Sequence, residues 1–299
     1  MKLEERACAL CGLDASKRVR YPATFADDDF NARIFSARRT PDRRHFQLVE
    51  CESCGMVFSD PAGDPAELTS LYEQATVDYS QQEDQIYDSY APVLDKALPM
   101  LRNRGTFLEI GGGRGFMLRY GHEHGFAEQV EVEPSEDAEE KFEHVGESSR
   151  FVRDIFKAGL LPDGSVSLAC FFQILDHVPH PLSFLEDVHD VLEPGGIAVS
   201  VTHNTRAVSA RVMGEKSPIF DIEHMYLFHP RNLSALYHRA GFSEVRAFPI
   251  ANNYSFRHWL NMAPLPRKQK VLRLAERSGV ASMRMPLRVG NFAVVARKG

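Results

Sequence analysis

The sequence lacks several features, and each absence argues against a class of protein. Its 299 residues carry a formal net charge of -6, so no general positive charge draws the chain to nucleic acid or to anionic membranes. No apolar run is long enough to span a bilayer, and the first residues contain no apolar signal core. We therefore expect a cytoplasmic protein. Structural disulfides are not expected in that reducing compartment, although the chain has five cysteines.

Four of the five cysteines form two close pairs. Cys8 and Cys11 make one C-x2-C knuckle, and Cys51 and Cys54 make another. Four thiolates fill the tetrahedral shell of Zn²⁺ and leave no open position, so the pattern predicts a structural zinc site. The gap between the pairs exceeds the usual zinc-ribbon spacing, which requires an insertion between the knuckles. A redox role for either pair is the alternative.

Strand-like and helix-like segments alternate after residue 104. The strand-like runs are TFLEI, QVEVEP, RFVRD, SVSLACFF, IAVSVTH, EVRAFPI and RVGNFAVVARK. Helical patterns fill FMLRYGHEHG, SEDAEEKFEHVG, PLSFLEDVHDVLEPGG and PRNLSALYHRAGF. This alternation predicts an α/β fold with a Rossmann-like, doubly wound, mostly parallel seven-stranded sheet. Ligands of such sheets bind beyond the carboxyl ends of the strands.

The first strand-like run leads into a glycine-rich loop, LEIGGGRGF. Gly111, Gly113 and Gly115 leave the backbone bare, but Phe116 stands where a dinucleotide-binding fingerprint needs glycine. Glu109 would repel the pyrophosphate that such a fingerprint binds. A carboxylate at this strand end favours a ligand with positive charge. S-adenosylmethionine, which carries an amino group and a sulfonium, meets that requirement.

Two more acids follow the next two strand-like runs. Glu133, within VEVEPS, ends the second strand, where a carboxylate can accept hydrogen bonds from both ribose hydroxyls of an adenosine. Asp154, the last residue of RFVRD, is in a position to meet an adenine amino group. Each acid alone is more often a surface residue, but three acids at successive strand ends favour a nucleoside ligand.

These segments resemble the class I S-adenosylmethionine-dependent methyltransferases. The resemblance rests on LEIGGGRG, VEVEPS and FFQILDHVPHPLSFLEDVHDVLEPGG and covers residues 106–250. It implies that Glu133 holds the ribose and Asp154 the adenine of the cofactor. The remaining cofactor contacts that it implies are Glu109, Gly111, Gly113 and Gly115 at the methionyl end, together with Gln173.

The N-terminal segment is similar to the start of bacterial sugar and natural-product methyltransferases, including nucleotide-sugar C-methyltransferases. The shared pattern is a C-x2-C pair, a variable stretch, QLVECESCGMVFSDP and then LYEQATVDYS. The resemblance implies that zinc braces a lid over the active site and that Tyr79 reaches cofactor or substrate. Packing between helices is the other interpretation of Tyr79. The sugar enzymes carry a Tyr-His-Glu-His run, which the segment from Phe220 to His224 lacks.

The sequence divides into three parts on these patterns. Residues 1–62 are predicted to form the zinc-binding module and residues 63–103 a helical linker or lid. Residues 104–299 are predicted to form the S-adenosylmethionine-binding methyltransferase domain, with an insertion at 251–287 before the last strand.

Histidines are the candidate catalytic bases. Methyl transfer needs alignment, and it needs a base when the acceptor is a hydroxyl or a C–H acid. His177 follows the fourth strand and His224 the fifth, so both are predicted to face the methyl group, with Glu223 orienting His224. An unperturbed histidine pKa near neutrality suits such a role. The alternatives are packing at a helix start for His177 and simple exposure for His224.

The expected function is S-adenosylmethionine-dependent methyl transfer to a small molecule, such as a saccharide or a natural-product intermediate. One alternative is an RNA methyltransferase with a zinc module, which the acidic net charge disfavours. Another is a non-catalytic protein that keeps the cofactor fold as a binding module, which the intact acids argue against. Neither a membrane nor nucleic acid is an expected partner, and the oligomeric state is left open.

Overall fold

The structure is a computed structural model that describes residues 2–12, 15–25, 43–74, 83–262 and 268–299. The first elements are β1 (Leu3–Glu4), β2 (Lys17–Tyr21), β3 (Leu48–Cys51), β4 (Val57–Ser59), β5 (Ala62–Gly63), α1 (Pro65–Glu73) and α2 (Glu83–Ala97). The next are β6 (Thr106–Ile110), α3 (Leu118–Glu123), β7 (Glu128–Val132), α4 (Glu136–Glu140), β8 (Ser149–Val152), β9 (Val166–Phe172), α5 (Pro181–Val191) and β10 (Leu192–His203). The last are α6 (Val208–Met213), β11 (Tyr226–Leu227), α7 (Pro230–Arg239), β12 (Phe242–Pro249), β13 (Asn252–Ser255), α8 (Phe256–Met262), α9 (Lys268–Arg277), β14 (Arg284–Leu287) and β15 (Asn291–Lys298).

The central sheet has seven strands in the order β12-β15-β10-β9-β6-β7-β8. The pairs from β10 to β8 are parallel, and β15 runs antiparallel to both of its neighbours. The predicted Rossmann-like, mostly parallel seven-stranded sheet is therefore confirmed. Chain order reverses between β6 and β9, which places a ligand crevice beyond their carboxyl ends.

Local patterns predicted the central strands better than the helices. TFLEI forms β6 with the predicted bounds, and every residue of β9 is buried, as expected of a central parallel strand. The helix expected in SEDAEEKFEHVG is only α4, which ends at Glu140. The helix expected through PLSFLEDVHDVLEPGG ends at Val191, and the following five residues belong to β10. Pro194 disfavours helical backbone at the residue before it, which ends the helix early.

The N-terminal module shares a sheet with a distant loop. Strands β2, β3 and β4 lie side by side, and β11 adds to the edge at β4 through the antiparallel pairs Tyr226–Phe58 and Leu227–Val57. Buried side chains of the module, including Phe46 and Phe58, belong to the same apolar cluster as one face of the central sheet. The module is thus packed against the loop that follows β10.

Two further elements cover the carboxyl ends of the central strands. Helix α2 packs its buried Tyr90 on Phe172 of β9, with ring centroids 4.6 Å apart. Strands β13 and β14 pair antiparallel, and backbone N–H groups of Asn253 and Ser255 in β13 donate to side chains of α2. No helix among the described ranges combines the length and apolar character needed to cross a membrane.

Candidate active site

A cavity of about 950 Å³ lies at the carboxyl ends of β6, β7, β9 and β10. Its volume falls near the upper end of the range of about 300–1,000 Å³ that small-molecule sites occupy. The glycine loop after β6 forms one wall, and α1, α2 and the insertion between β12 and β15 form the other. Those covering elements contribute the aromatic side chains Tyr72, Tyr90, Tyr254 and Trp259.

The glycine loop needs its glycines for space and for backbone conformation. Gly111 and Gly113 line the cavity with φ angles of 70° and 62°, in the left-handed region that favours glycine. A Cβ atom on Gly111 would stand 2.4 Å from Cδ1 of Ile174. Gly115, which does not line the cavity, also has a positive φ and packs against Leu118. The loop therefore presents bare backbone to whatever the cavity holds.

Glu133 lines the cavity at the end of β7 and is held by backbone donors. The N–H of Gly113 donates to its Oε2 at 3.3 Å, and the N–H of Ser135 donates to its Oε1 at 3.2 Å. Burial raises the pKa of Glu133, and the two backbone donors oppose that rise. The carboxylate is thus fixed in orientation beside the glycine loop, with lone pairs left for a ligand.

Glu109 and a second acid, Glu131, lie behind the glycine loop rather than on the cavity wall. Glu109 is 2% exposed and accepts from the N–H of Met117 at 3.0 Å, while Glu131 is 0% exposed and accepts from the N–H of Gly112 at 2.8 Å. The two carboxyl groups interact with each other, and Oε2 of Glu131 has no hydrogen-bond partner among the described residues. A proton shared between them would satisfy both groups. The pair therefore fixes the loop from beneath.

This buried pair makes stability depend on pH in a definite direction. Burial raises the pKa of Glu109 to about 8, and burial with the neighbouring Glu109 also raises the pKa of Glu131. The unfolded chain loses these protons near pH 4.5, so between about pH 4.5 and 8 it binds fewer protons than the folded protein. Folding stability should therefore fall as pH rises through this window, by about 1.4 kcal/mol per pH unit for each proton.

We expect Glu131→Gln to remove most of that slope. The amide of the variant donates to Glu109 and still accepts from Gly112, so no proton has to be held. Urea unfolding of the wild type and Glu131→Gln at pH 5 and pH 8 measures the difference. The variant should gain stability relative to the wild type at pH 8. Equal dependence on pH in the two proteins would contradict the shared proton.

The remaining predicted cofactor residues differ in where they lie. Gln173 lines the cavity with a positive φ of 59°, and its buried Oε1 has no partner among the described residues. Asp154 is half-buried and ion-paired with Lys157 at 2.9 Å, and its pKa is lowered chiefly by the hydrogen bond from that lysine. Its neighbour Ile155 lines the cavity instead. Tyr79 lies outside the described residues.

Three histidines surround one buried aspartate at the opposite end of the cavity from Glu133. Asp176 is 0% exposed, and Nδ1 of His203 lies 2.6 Å from its Oδ2. Nε2 of His224 lies 3.9 Å from the same oxygen, and a ring nitrogen of His177 lies within 4.8 Å of ligand atoms of both Asp176 and His224. We call these four residues the histidine cluster. All three imidazoles also line the cavity.

Each of the two predicted catalytic histidines has a second partner that orients its ring. Nδ1 of His224 lies 2.7 Å from the carbonyl oxygen of Ile219, so that nitrogen carries the proton and Nε2 keeps its lone pair. Nδ1 of His177 lies 3.2 Å from the hydroxyl of Tyr72 on α1. Glu223 lines the cavity beside them.

Burial keeps both of these histidines neutral. It lowers the pKa of His177 to about 3, with His224 adding to the effect, and it lowers the pKa of His224 as well. The expectation of histidines titrating near neutral pH is therefore replaced by imidazoles that are unprotonated there. Burial would raise the pKa of Asp176, but the hydrogen bond and charge of His203 hold it well below the ordinary value.

The four paired cysteines come together in the N-terminal module. The sulfur atoms of Cys8, Cys11, Cys51 and Cys54 all lie within 4.8 Å of one another, and Sγ of Cys8 and Cys54 are 3.5 Å apart. Thiolates about 2.3 Å from a tetrahedral zinc ion stand about 3.8 Å apart. The arrangement therefore fits zinc without rebuilding the knuckles. Part of the predicted insertion between the pairs, residues 26–42, lies outside the described residues.

The same module supports the loop that carries His224. The hydroxyl of Ser59 donates to the carbonyl of His224 at 3.2 Å, and the N–H of Ser59 donates to the carbonyl of Met225 at 2.9 Å. Tyr226 stacks on Phe58 with ring centroids 5.7 Å apart. The position of His224 therefore depends on the folding of the module.

Comparison with known proteins fits this geometry. A family model described as "Methyltransferase domain" matches residues 82–247, which is more than half of the chain. This chain belongs to the methyltransferase domain family. No curated protein matches it.

Solved methyltransferase structures share the fold at low sequence identity. A methyltransferase solved in complex with the Haloferax volcanii Trm112 methyltransferase activator is 14% identical, with a TM-score of 0.51 over 73% of this chain and 94% of its own. An S-adenosylmethionine-dependent methyltransferase from Archaeoglobus fulgidus is 19% identical, with a TM-score of 0.50 over 74% of this chain and 100% of its own. At these identities the likeness extends to the fold alone.

Sequence reasoning missed three polar residues of this methyltransferase site. Asp176 stands next to His177 in the motif that carried the resemblance, yet it received no role. His203 is the last residue of β10, so the rule that ligands bind at strand ends could have found it. Glu131 is a charged residue inside an apolar strand, which is itself a signal of a buried partner.

Proposed function

We propose that this methyltransferase moves a methyl group from S-adenosylmethionine to a small molecule, such as a saccharide or a natural-product intermediate. One observation carries the proposal: a single cavity joins the glycine loop and Glu133 at one end to His177 and His224 at the other. Cofactor and acceptor can therefore meet inside it.

The residues around the glycine loop fit this cofactor. Gly111 and Gly113 offer bare backbone, and Glu133 offers a fixed carboxylate to the ribose hydroxyls. The buried Oε1 of Gln173 lacks a donor among the described residues, and an amino group of the cofactor would supply one. When bound, S-adenosylmethionine supplies an activated methyl group on a sulfonium. The protein has to align an acceptor with that group and exclude water.

The histidines can take a proton from the acceptor. His177 and His224 are neutral imidazoles on the cavity wall, so each offers a lone pair to a hydroxyl or an acidic C–H group. The carbonyl of Ile219 holds the ring of His224, while the charges of Asp176 and Asp221 favour an imidazolium once it forms. General-base help of this kind contributes about a hundredfold or more to rate.

The charges of the cavity wall favour a neutral or cationic acceptor. Four carboxylates line it, from Glu133, Asp187, Asp221 and Glu223, and the described part of the wall contains no lysine or arginine. A phosphorylated acceptor or an RNA strand would meet like charge there. The RNA methyltransferase alternative is disfavoured on this ground, and a non-catalytic binding protein would have no need of the histidine cluster.

We further propose that the four cysteines hold a structural zinc ion that braces the active site. A ligand set of four thiolates leaves no coordination position for a substrate. Strand β4 of the module pairs with β11, which directly follows His224 and Met225. Zinc in the module would thereby fix the acceptor end of the cavity.

Glu133→Ala is expected to weaken S-adenosylmethionine binding at least tenfold. The substitution removes two charge-assisted hydrogen bonds to ribose hydroxyls, each worth roughly 1.5–3 kcal/mol. Calorimetric titration of the cofactor into wild type and variant measures the loss. Glu136→Ala, which removes an exposed carboxylate three residues away, is the matched control.

NADH is the negative-control ligand for the same titration. Its pyrophosphate would lie at the glycine loop beside the carboxylate of Glu133, so the wild type should not bind it. Tight binding of NADH to the wild type, or unchanged S-adenosylmethionine affinity in Glu133→Ala, would contradict the proposed cofactor.

A further inference from the structure

The histidine cluster brings three side chains of metal-binding type together beside the acceptor end of the cavity. A carboxylate oxygen of Asp176 and one ring nitrogen each of His177 and His224 all lie within 4.8 Å of one another. Two imidazoles and a carboxylate on one side of an ion are a recurrent ligand set for divalent transition metals. The three residues come from two distant segments, the end of β9 and the loop after β10.

Each of these three side chains is oriented by a partner of the kind that metal ligands have. Nδ1 of His224 donates to the carbonyl of Ile219, which leaves Nε2 free, and Nδ1 of His177 contacts the Tyr72 hydroxyl. His203 donates to Oδ2 of Asp176. Metal-binding histidines almost always donate their second N–H to a carbonyl or carboxylate, and ligating carboxylates are themselves hydrogen-bonded.

An unpartnered oxygen gives independent evidence for a ligand. Oδ1 of Asp176 is buried and has no hydrogen-bond partner among the described residues, although the residue is 0% exposed. Leaving a buried carboxylate oxygen without a donor or cation is costly. A cation bound to the carboxylate of Asp176 would satisfy it. The cavity beyond His177 and His224 leaves the remaining coordination positions open, as catalytic metal sites require.

We propose that Asp176, His177 and His224 bind one divalent transition-metal ion, of which zinc is the probe of choice. The ion would coordinate an oxygen of the acceptor, which favours acceptors with adjacent oxygens, such as a vicinal diol or an α-hydroxy carbonyl compound. Coordination lowers the pKa of a bound hydroxyl. With the lone pairs of His177 and His224 engaged by the ion, this coordination would take the place of their general-base role. Acceptor activation rests on the proposed function, whereas metal binding does not.

Zinc titration of protein whose four-cysteine site is already loaded tests the binding. The wild type should take up one further zinc ion per chain in calorimetry, with elemental analysis giving two zinc ions in total. His177→Gln and His224→Gln should lose this second ion and keep the first. His203→Gln removes only a hydrogen-bond partner of the ligand Asp176. The affinity of this variant for the second zinc ion should therefore fall by about 10- to 100-fold. His122→Ala, on an exposed face of α3, should bind zinc like the wild type.

The outcomes separate this inference from the proposed function. Circular dichroism and S-adenosylmethionine binding confirm that each variant is folded before zinc is added. A wild type that binds only the first zinc, or His224→Gln that binds the second as tightly as wild type, overturns the metal site. If methyl transfer persists in that case, the proposed function stands. Zinc binding as expected in a protein that transfers no methyl group supports the site and contradicts the function.

Discussion

Replacing His224 by alanine is expected to lower kcat by roughly a hundredfold or more while S-adenosylmethionine affinity stays nearly unchanged. His224 presents Nε2 to the acceptor end of the cavity, far along the wall from Glu133 and the glycine loop. Its loss removes the group that acts on the acceptor proton, either directly or as a ligand of a cation. His177→Ala should lower kcat less, because burial lowers the pKa of His177 to about 3 and so makes it a weak base.

Turnover of the identified acceptor and calorimetric cofactor binding together show whether a variant loses kcat while it keeps its affinity for the cofactor. His122→Ala provides the control, since its side chain is exposed and does not line the cavity. If both His177→Ala and His224→Ala keep wild-type turnover, the acceptor is nucleophilic without help, as a neutral amine is. The enzyme would then work by alignment alone, and the assigned role of the histidine cluster would be wrong.

Cys51→Ser is expected to remove zinc from the module and to abolish most of the activity with it. Structural zinc contributes roughly 10–16 kcal/mol of apparent binding free energy in small zinc domains, which exceeds what a small module's core can replace. Unfolding of β3 and β4 would detach β11 and release the loop that holds His224. Both the melting temperature of the module and kcat should therefore fall.

Elemental analysis, thermal unfolding and turnover of the same preparations test that coupling. Ser53→Ala, an exposed change within the same knuckle, should keep zinc, stability and turnover. Full zinc occupancy in a Cys8→Ser, Cys51→Ser double variant would contradict the four-cysteine site. Loss of zinc with unchanged turnover would leave the site standing but would show that it does not brace His224.

The sheet and the glycine-loop end of the cavity could be predicted from the sequence because the patterns that indicate them are local. The buried run of β9 and the strand–glycine–helix order at Gly111 need only neighbouring residues to be interpreted. The early end of α5 could also have been predicted, since Pro194 and two glycines follow it. The bulk charge of the chain, by contrast, did not reveal that the cavity wall itself is acidic.

The acceptor end could not be predicted in the same way because its contacts join distant segments. His203 meets Asp176 across 27 positions of sequence, and Ser59 meets His224 across 165. Such pairings follow from the three-dimensional arrangement of strands and loops, which composition and spacing do not determine.

Transfer of a labelled methyl group tests the central claim most directly. The wild type is incubated with methyl-labelled S-adenosylmethionine and a cell extract separated into small-molecule, RNA and protein fractions. The label should enter the small-molecule fraction with the wild type, and this transfer should fall by roughly a hundredfold with His224→Ala. Label found in RNA instead, or no transfer by a wild-type protein that binds the cofactor, would contradict a small-molecule methyltransferase.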